Sequence, residues 1–207
     1  MRQELELQYR LRFEGILKPL AESLEVYIRE TLAGVDRVDR VQARAKSPSR
    51  FMAKAGKGSH DNPKYSDPIS QIQDQIGARI IVFYVSDVER VARTIDRYFN
   101  HIEKRDLVPE SVSEFGYFGR HYLLNVPTDI IDPDWDKGLI PDFFELQIKT
   151  LFQHAWAEAN HDLGYKELGG ELSQESKRRM AWAAAQAWGA DQIFNDLASD
   201  HSQQAGA

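Results

Sequence analysis

Apolar residues recur at helical spacing through the first part of the chain: Leu5, Tyr9, Phe13, Ile16, Leu17, Leu20, Leu24, Tyr27 and Ile28. This pattern predicts helix over residues 1–33, kinked or divided at Pro19, which has no backbone N–H to donate. The period then shortens. Val35, Val38 and Val41 open a strand over 35–46. Ser47-Pro48 pairs an N-cap residue with proline at the first helical position, so a helix should cover 48–55. Residues 56–68 hold glycine, serine, asparagine and proline and form a loop. A short helix over 69–75 leads into the apolar run of 78–85, a buried strand. Ser86 or Asp87 caps a helix over 88–99. Residues 101–116 are a connector of weak strand character, 121–126 is a strand, and 128–141 is a loop. Residues 173–198 make a helix rich in alanine and tryptophan, with a break expected near Gly189 and a disordered tail from Ser199. Strands and helices alternate irregularly, which predicts a mixed α/β sheet with helices packed around it.

The most informative stretch is 144–161. Phe144, Leu146 and Ile148 alternate with Glu145, Gln147 and Lys149. One face of this strand can pack on a core while the other presents an acid, an amide and a base. Thr150 can cap the helix that follows, on which His154, Glu158 and His161 share one face. Such a face can ligate a metal, but more often it hydrogen-bonds a neighbouring element.

Composition narrows the setting. The chain has 207 residues and no cysteine, which excludes disulfides, thiolate ligands and a cysteine nucleophile. It has no apolar run of membrane-spanning length, and residues 1–12 lack a secretory pattern, so a cytoplasmic protein with no membrane contact is expected. The net charge is −6, yet residues 37–64 carry eight lysines and arginines against Asp39 and Asp61. That segment is about +6 and the rest about −12, an imbalance that fits an anionic ligand held in one place.

Three further patches carry candidate chemistry. Arg44 and Lys46 stand at the end of a predicted strand, a helix N-terminus follows, and Lys54 lies two turns into it. Cations converging on free helix amides suit a polyphosphate. Asp74 directly precedes a buried strand, where it can hold Mg²⁺ or close a turn. Gly116-Tyr117-Phe118-Gly119 presents Tyr117 either as a stacking platform for a nucleobase or as a core residue beside a turn.

The order of these motifs resembles the synthetase domain of the RelA/SpoT family, the alarmone synthetases. The motifs are Arg44-x-Lys46, Lys54, Asp74-x-x-Gly77-x-Arg79, Gly116-Tyr117-x-x-x-His121, Glu145-x-Gln147-Ile148-Lys149-Thr150, His154-Ala-Trp-Ala-Glu158-x-x-His161 and Tyr165-Lys166. The resemblance implies a nucleotidyltransferase-like mixed sheet flanked by helices. It divides the chain into an N-terminal helical extension (1–34), the synthetase domain (35–170) and a C-terminal helix and tail (171–207). The implied reaction moves the β,γ-pyrophosphate of ATP to the ribose 3′-hydroxyl of GDP or GTP. By position, Arg44 and Arg79 would sandwich the adenine, and Lys46 and Lys54 would hold the ATP phosphates. Asp74 and Glu145 would hold Mg²⁺, with Glu145 also activating the acceptor hydroxyl. Tyr117 would stack on the acceptor base, near His121, Gln147 and His154.

The chain departs from that pattern on the acceptor side. Arg50 stands where the family usually has serine, Gly119 replaces another serine, and the usual Pro-Lys loop reads Val112-Ser113-Glu114-Phe115. The missing lysine would contact acceptor phosphates. The resemblance therefore leaves open tRNA 3′ ends or adenosine nucleotides as acceptors, as in toxic members kept in check by an antitoxin. A catalytically inactive nucleotide-binding module is the reading of another class. The hydrolase motifs of the long bifunctional members are absent, so the chain reads as a small synthetase, or the catalytic piece of something larger. The apolar surface of the last helix is expected to pack on the domain or on a second subunit, since small members of this family often assemble as homo-oligomers.

Overall fold

The computed structural model describes residues 2–58, 63–107, 114–116, 119–165 and 173–205. The chain opens with α1 (Arg2–Arg12), a π-helical turn (Phe13–Leu17) and α2 (Lys18–Thr31). The expected disturbance near Pro19 takes the form of that widened turn just ahead of it. Then come β1 (Val38–Ala45), α3 (Pro48–Ala55), a single turn α4 (Pro68–Gln71), β2 (Ile76–Val82) and α5 (Val85–Tyr98). They are followed by β3 (His101–Leu107), β4 (Gly119–Asn125), β5 (Phe143–Thr150), α6 (Leu151–Tyr165) and α7 (Gln174–Ala205).

The five strands form one mixed sheet in the order β1-β2-β5-β4-β3. Only β2 and β5 run parallel, and every other pair is antiparallel. One face of the sheet is apolar: Val41, Ala78, Ile80, Val82, Leu146, Ile148, Tyr122 and Leu124 pack with Leu20, Leu24 and Ile28 of α2 and Val91, Ala92 and Ile95 of α5. Strand periodicity sends the intervening residues to the opposite face. Register then aligns Gln42 with Arg79, Arg79 with Gln147, and Gln147 with His121. One row along, Arg44 pairs with Gly77 and Gly77 with Glu145. The polar face is thus assembled from four strands by the same alternation that builds the core.

The N-terminal helices tie directly into this face's rim. Tyr9 stacks on Phe51 with ring centroids 3.6 Å apart, and its hydroxyl donates to the Lys46 carbonyl at 2.8 Å. Arg12 is buried and donates to the carbonyls of Leu139 at 2.7 Å and Ile69 at 3.3 Å.

Four elements differ from the sequence expectation. Helix α5 starts at Val85, ahead of the expected caps Ser86 and Asp87, and Asp87 instead accepts from the Tyr84 N–H at 3.2 Å from within the first turn. Residues 101–107 form a full edge strand, whose charged run hides the usual apolar alternation. The α4 turn is much shorter than the helix expected over 69–75. The final helix runs unbroken through Gly189 and on to Ala205, where a break and a disordered tail were expected.

Candidate functional site

A cleft of about 620 Å³ opens on the polar face, lined by Arg44, Lys46, Arg50, Asp74, Gly77, Arg79, Glu145 and Gln147 among others. Its floor is the row Arg44–Gly77–Glu145. Gly77 leaves open space between the two charged residues, since nothing lies within 4 Å of where its Cβ would be.

Asp74 sits on the turn before β2 and is the charge centre of one end. Lys46 Nζ lies 2.7 Å from its Oδ2 and Lys54 Nζ 2.9 Å from its Oδ1. Local folding brings the three together. Ser47 caps α3, accepting from the Arg50 N–H at 3.4 Å, so α3 starts immediately after β1 and carries Lys54 back over the strand end. The Lys46 N–H donates to the Gln75 carbonyl at 2.8 Å, which ties that strand end to the Asp74 turn. Burial pushes the Asp74 carboxyl up, but the two ammonium groups together outweigh it and hold the carboxyl below its ordinary value.

Glu145 projects into the same cleft and makes no ion pair among the described residues. Burial raises its carboxyl, the Asp74 charge raises it further, and Lys54 and Lys46 oppose the rise. Two carboxylates close enough to feel each other, beside a cluster of cations, form an oxygen donor set suited to Mg²⁺ shared with a polyphosphate. The residues present therefore fit the metal that the sequence implies.

The other end of the cleft holds the arginines. Arg79 Nη1 lies 2.8 Å from Glu158 Oε1 and 3.4 Å from His154 Nδ1, so α6 reaches over the sheet to meet β2. Burial lowers the Arg44 guanidinium, as do the positive charges of Arg50 and Arg79, while Glu158 acts the other way. Lys149 is buried two residues beyond Gln147 on β5, and burial together with Arg79 brings its ammonium down to about 7.

His121 lies beside Gln147 on β4. Burial and then the Lys149 charge bring its imidazole down to about 4. It is neutral at pH 7 and can serve as a hydrogen-bonding group, not as a cation for phosphate. Its folded value lies below that of the unfolded chain. Its contribution to stability is therefore intact above about pH 6.5 and is lost as pH falls through the window down to about 4. An NMR titration of the His121 ring should find no protonation above pH 5.

The structure thus brings together Arg44, Lys46, Lys54, Asp74, Arg79, Glu145 and Gln147 around one cleft. His121 stands one strand away. His154 stands against Arg79, nearer the expected donor side than the acceptor side. Tyr117 lies outside the described residues. The helix face His154–Glu158–His161 is accounted for in part by Arg79, which pairs with Glu158, and the described residues contain no group of three histidines and carboxylates arranged to hold a metal. Sequence reading placed Glu158 on that face but gave no sign of its partner, which is distant in sequence. Asp191 had no sequence signal: it is buried and accepts from the Thr150 hydroxyl at 2.8 Å, joining α7 to the end of β5.

Residues 43–170 match the family described as a region found in RelA / SpoT proteins. The chain belongs to the RelA/SpoT family. Among characterised RelA/SpoT relatives, it is 28% identical over 131 residues to the GTP pyrophosphokinase YjbM of Bacillus subtilis (strain 168). That alignment takes in 62% of this chain and 59% of the relative, so the match spans about three-fifths of the curated protein's length. The fold of the small alarmone synthetase 1 from Bacillus subtilis superposes with a TM-score of 0.74 at 21% identity, covering 95% of this chain and 97% of that one. The same enzyme bound to its product pppGpp gives a TM-score of 0.71 at 25% identity, covering 92% and 98%. The mixed five-stranded sheet with flanking and terminal helices is the architecture of these RelA/SpoT synthetases. No helix among the described residues is long and apolar enough to cross a membrane.

Proposed function

We propose that this chain is a pyrophosphokinase that transfers the β,γ-pyrophosphate of ATP to the ribose 3′-hydroxyl of GDP or GTP. The observation that carries the reading is the pairing of Asp74 with both Lys46 and Lys54 at one end of a cleft whose floor also presents Glu145. Without nucleotide, Asp74 pairs with both lysines and leaves a net positive charge at this end of the cleft. A polyphosphate entering the cleft offers those ammonium groups stronger anionic partners and frees the Asp74 oxygens for Mg²⁺. Asp74 and Glu145 would hold Mg²⁺, which would supply charge neutralisation to the polyphosphate. Arg44 and Arg79 hold the adenine. Glu145 takes the proton of the 3′-hydroxyl, whose oxygen attacks the β-phosphorus. The bond from that phosphorus to the oxygen bridging to the α-phosphorus breaks, and AMP leaves with the bridging oxygen. Catalysis rests on positioning and charge neutralisation.

Support for guanine nucleotides as acceptors comes from the relatives: a GTP pyrophosphokinase, and a synthetase that holds pppGpp as its product. A second reading is favoured by the acceptor-side sequence, where Glu114 and its neighbours replace the lysine-bearing loop. An acceptor pocket with fewer phosphate ligands suits adenosine nucleotides or a tRNA 3′ end, in a toxin paired with an antitoxin. The last helix is expected to pack on the domain or on a second copy of the chain: Phe194 and Met180 meet α6, while the exposed Trp182, Ile193 and Leu197 leave a surface that a second copy would cover. Incubation with γ-labelled ATP, Mg²⁺ and separate GDP, GTP, AMP, ADP, ATP and bulk tRNA tests the acceptor. Labelling of GDP or GTP above the others is expected, and labelling confined to tRNA or adenosine nucleotides would replace the first reading with the second.

A further inference from the structure

The arginine end of the cleft poses a physical problem. Arg79 is largely buried and Arg44 stands at the more exposed rim; the two are neighbours of like charge, and the Arg79 charge works against the Arg44 guanidinium. Arg50 adds its positive charge against Arg44, and Arg79 in turn lowers the neighbouring Lys149 ammonium. Glu158 is the carboxylate set among them. It contacts Arg79 at 2.8 Å, acts favourably on Arg44 and Lys149, and stands 4.0 Å from His154. It reaches this place from α6, a helix anchored elsewhere. Phe152 stacks on Phe194, and the Trp156 indole donates to the Met180 carbonyl at 3.3 Å. The Glu158 side chain itself is 54% exposed, so it does not hold the helix down by burial.

We propose that Glu158 is the positioning residue of the nucleotide-base subsite: its carboxylate anchors Arg79 and draws Arg44 toward it, keeping two like-charged guanidinium planes close enough to hold one base between them. The inference rests on the reading of Arg44 and Arg79 as the adenine clamp. It assigns to Glu158 no contact with the reacting phosphates, which lie at the Asp74 end.

Isothermal titration with α,β-methylene ATP and, separately, with inorganic tripolyphosphate tests it on wild type, Glu158→Gln, Glu158→Asp and Arg44→Ala. The Glu158→Gln variant should fold normally and bind the nucleotide about fivefold to tenfold more weakly, a loss somewhat above that of a lone half-exposed ion pair because two arginines are released. Its affinity for tripolyphosphate should be unchanged or higher, since a negative charge near the cleft is gone. Glu158→Asp should fall between Glu158→Gln and wild type. Unchanged nucleotide affinity in Glu158→Gln, with weakened binding in Arg44→Ala, would overturn the inference and leave the donor site standing. Equal losses for nucleotide and tripolyphosphate would mark a general structural role and also overturn it. Wild-type affinity in Arg44→Ala would remove the clamp itself, and this inference with it.

Discussion

Asp74→Ala should abolish pyrophosphoryl transfer while leaving a folded protein. The loss should be about 10³-fold or more, the scale on which preorganised charge-stabilising groups act. Asp74 is the carboxylate around which Lys46 and Lys54 are arranged, and its side chain is 20% exposed in the open cleft. Removing it takes away one of the two carboxylates proposed to hold Mg²⁺ and leaves the Lys46 and Lys54 ammonium groups without their shared ion-pair partner. Those groups are themselves partly exposed and can turn to water, so the stability cost should be about 1–2 kcal/mol, between that of a surface pair and a buried one. The wild-type ion pairs should show the matching pH signature. The folded carboxyl titrates below its unfolded value, so its contribution is present above about pH 3.8 and is lost as pH falls further. Turnover assays with and without EDTA, alongside thermal melts, check this. Full activity in the variant, or wild-type activity indifferent to EDTA, would refute the metal assignment.

Glu145→Gln should lose turnover and keep ATP binding. The substitution preserves shape on a strand whose neighbours Phe144 and Leu146 are fully buried, so the fold has no reason to respond. Glu145 makes no ion pair among the described residues, which distinguishes it from a carboxylate kept to balance a nearby lysine. Its carboxyl is raised by burial and by Asp74, which strengthens it as a base in a site without metal. Loss of a general base typically costs about 10²–10⁴-fold, and weaker metal positioning adds to that. Steady-state turnover with the correct acceptor, paired with calorimetric ATP affinity, decides the question. A fall in kcat of less than about tenfold would make Glu145 structural and would discard the proton-transfer step.

Much of this was legible in the sequence because alternation does two jobs at once. In β5 the buried residues Phe144, Leu146 and Ile148 fix which way the strand faces, and that alone turns Glu145, Gln147 and Lys149 to the opposite face, where Glu145 and Gln147 line the cleft. The Ser47-Pro48 signal likewise located α3 to the residue and with it Lys54. Failures came where local pattern and tertiary role part company. The strand His101–Leu107 is exposed and charged because edge strands resist pairing with other chains, so it carries no apolar rhythm to read. Gly189 costs a helix about 1 kcal/mol relative to alanine, too little to break one as long as α7. The Arg79–Glu158 contact and the Thr150–Asp191 bond join residues far apart in sequence, and no periodicity within either segment reports such a partner.

Phosphorus NMR of a reaction containing ATP, GDP and Mg²⁺ follows whether the β,γ-pyrophosphate moves intact from ATP to a ribose 3′-oxygen, as proposed. AMP should appear in step with a guanosine product that carries a new pyrophosphate at its 3′ position, and 3′-deoxy-GDP should not react. Accumulation of ADP with orthophosphate instead, or transfer that persists with 3′-deoxy-GDP, would contradict the proposal.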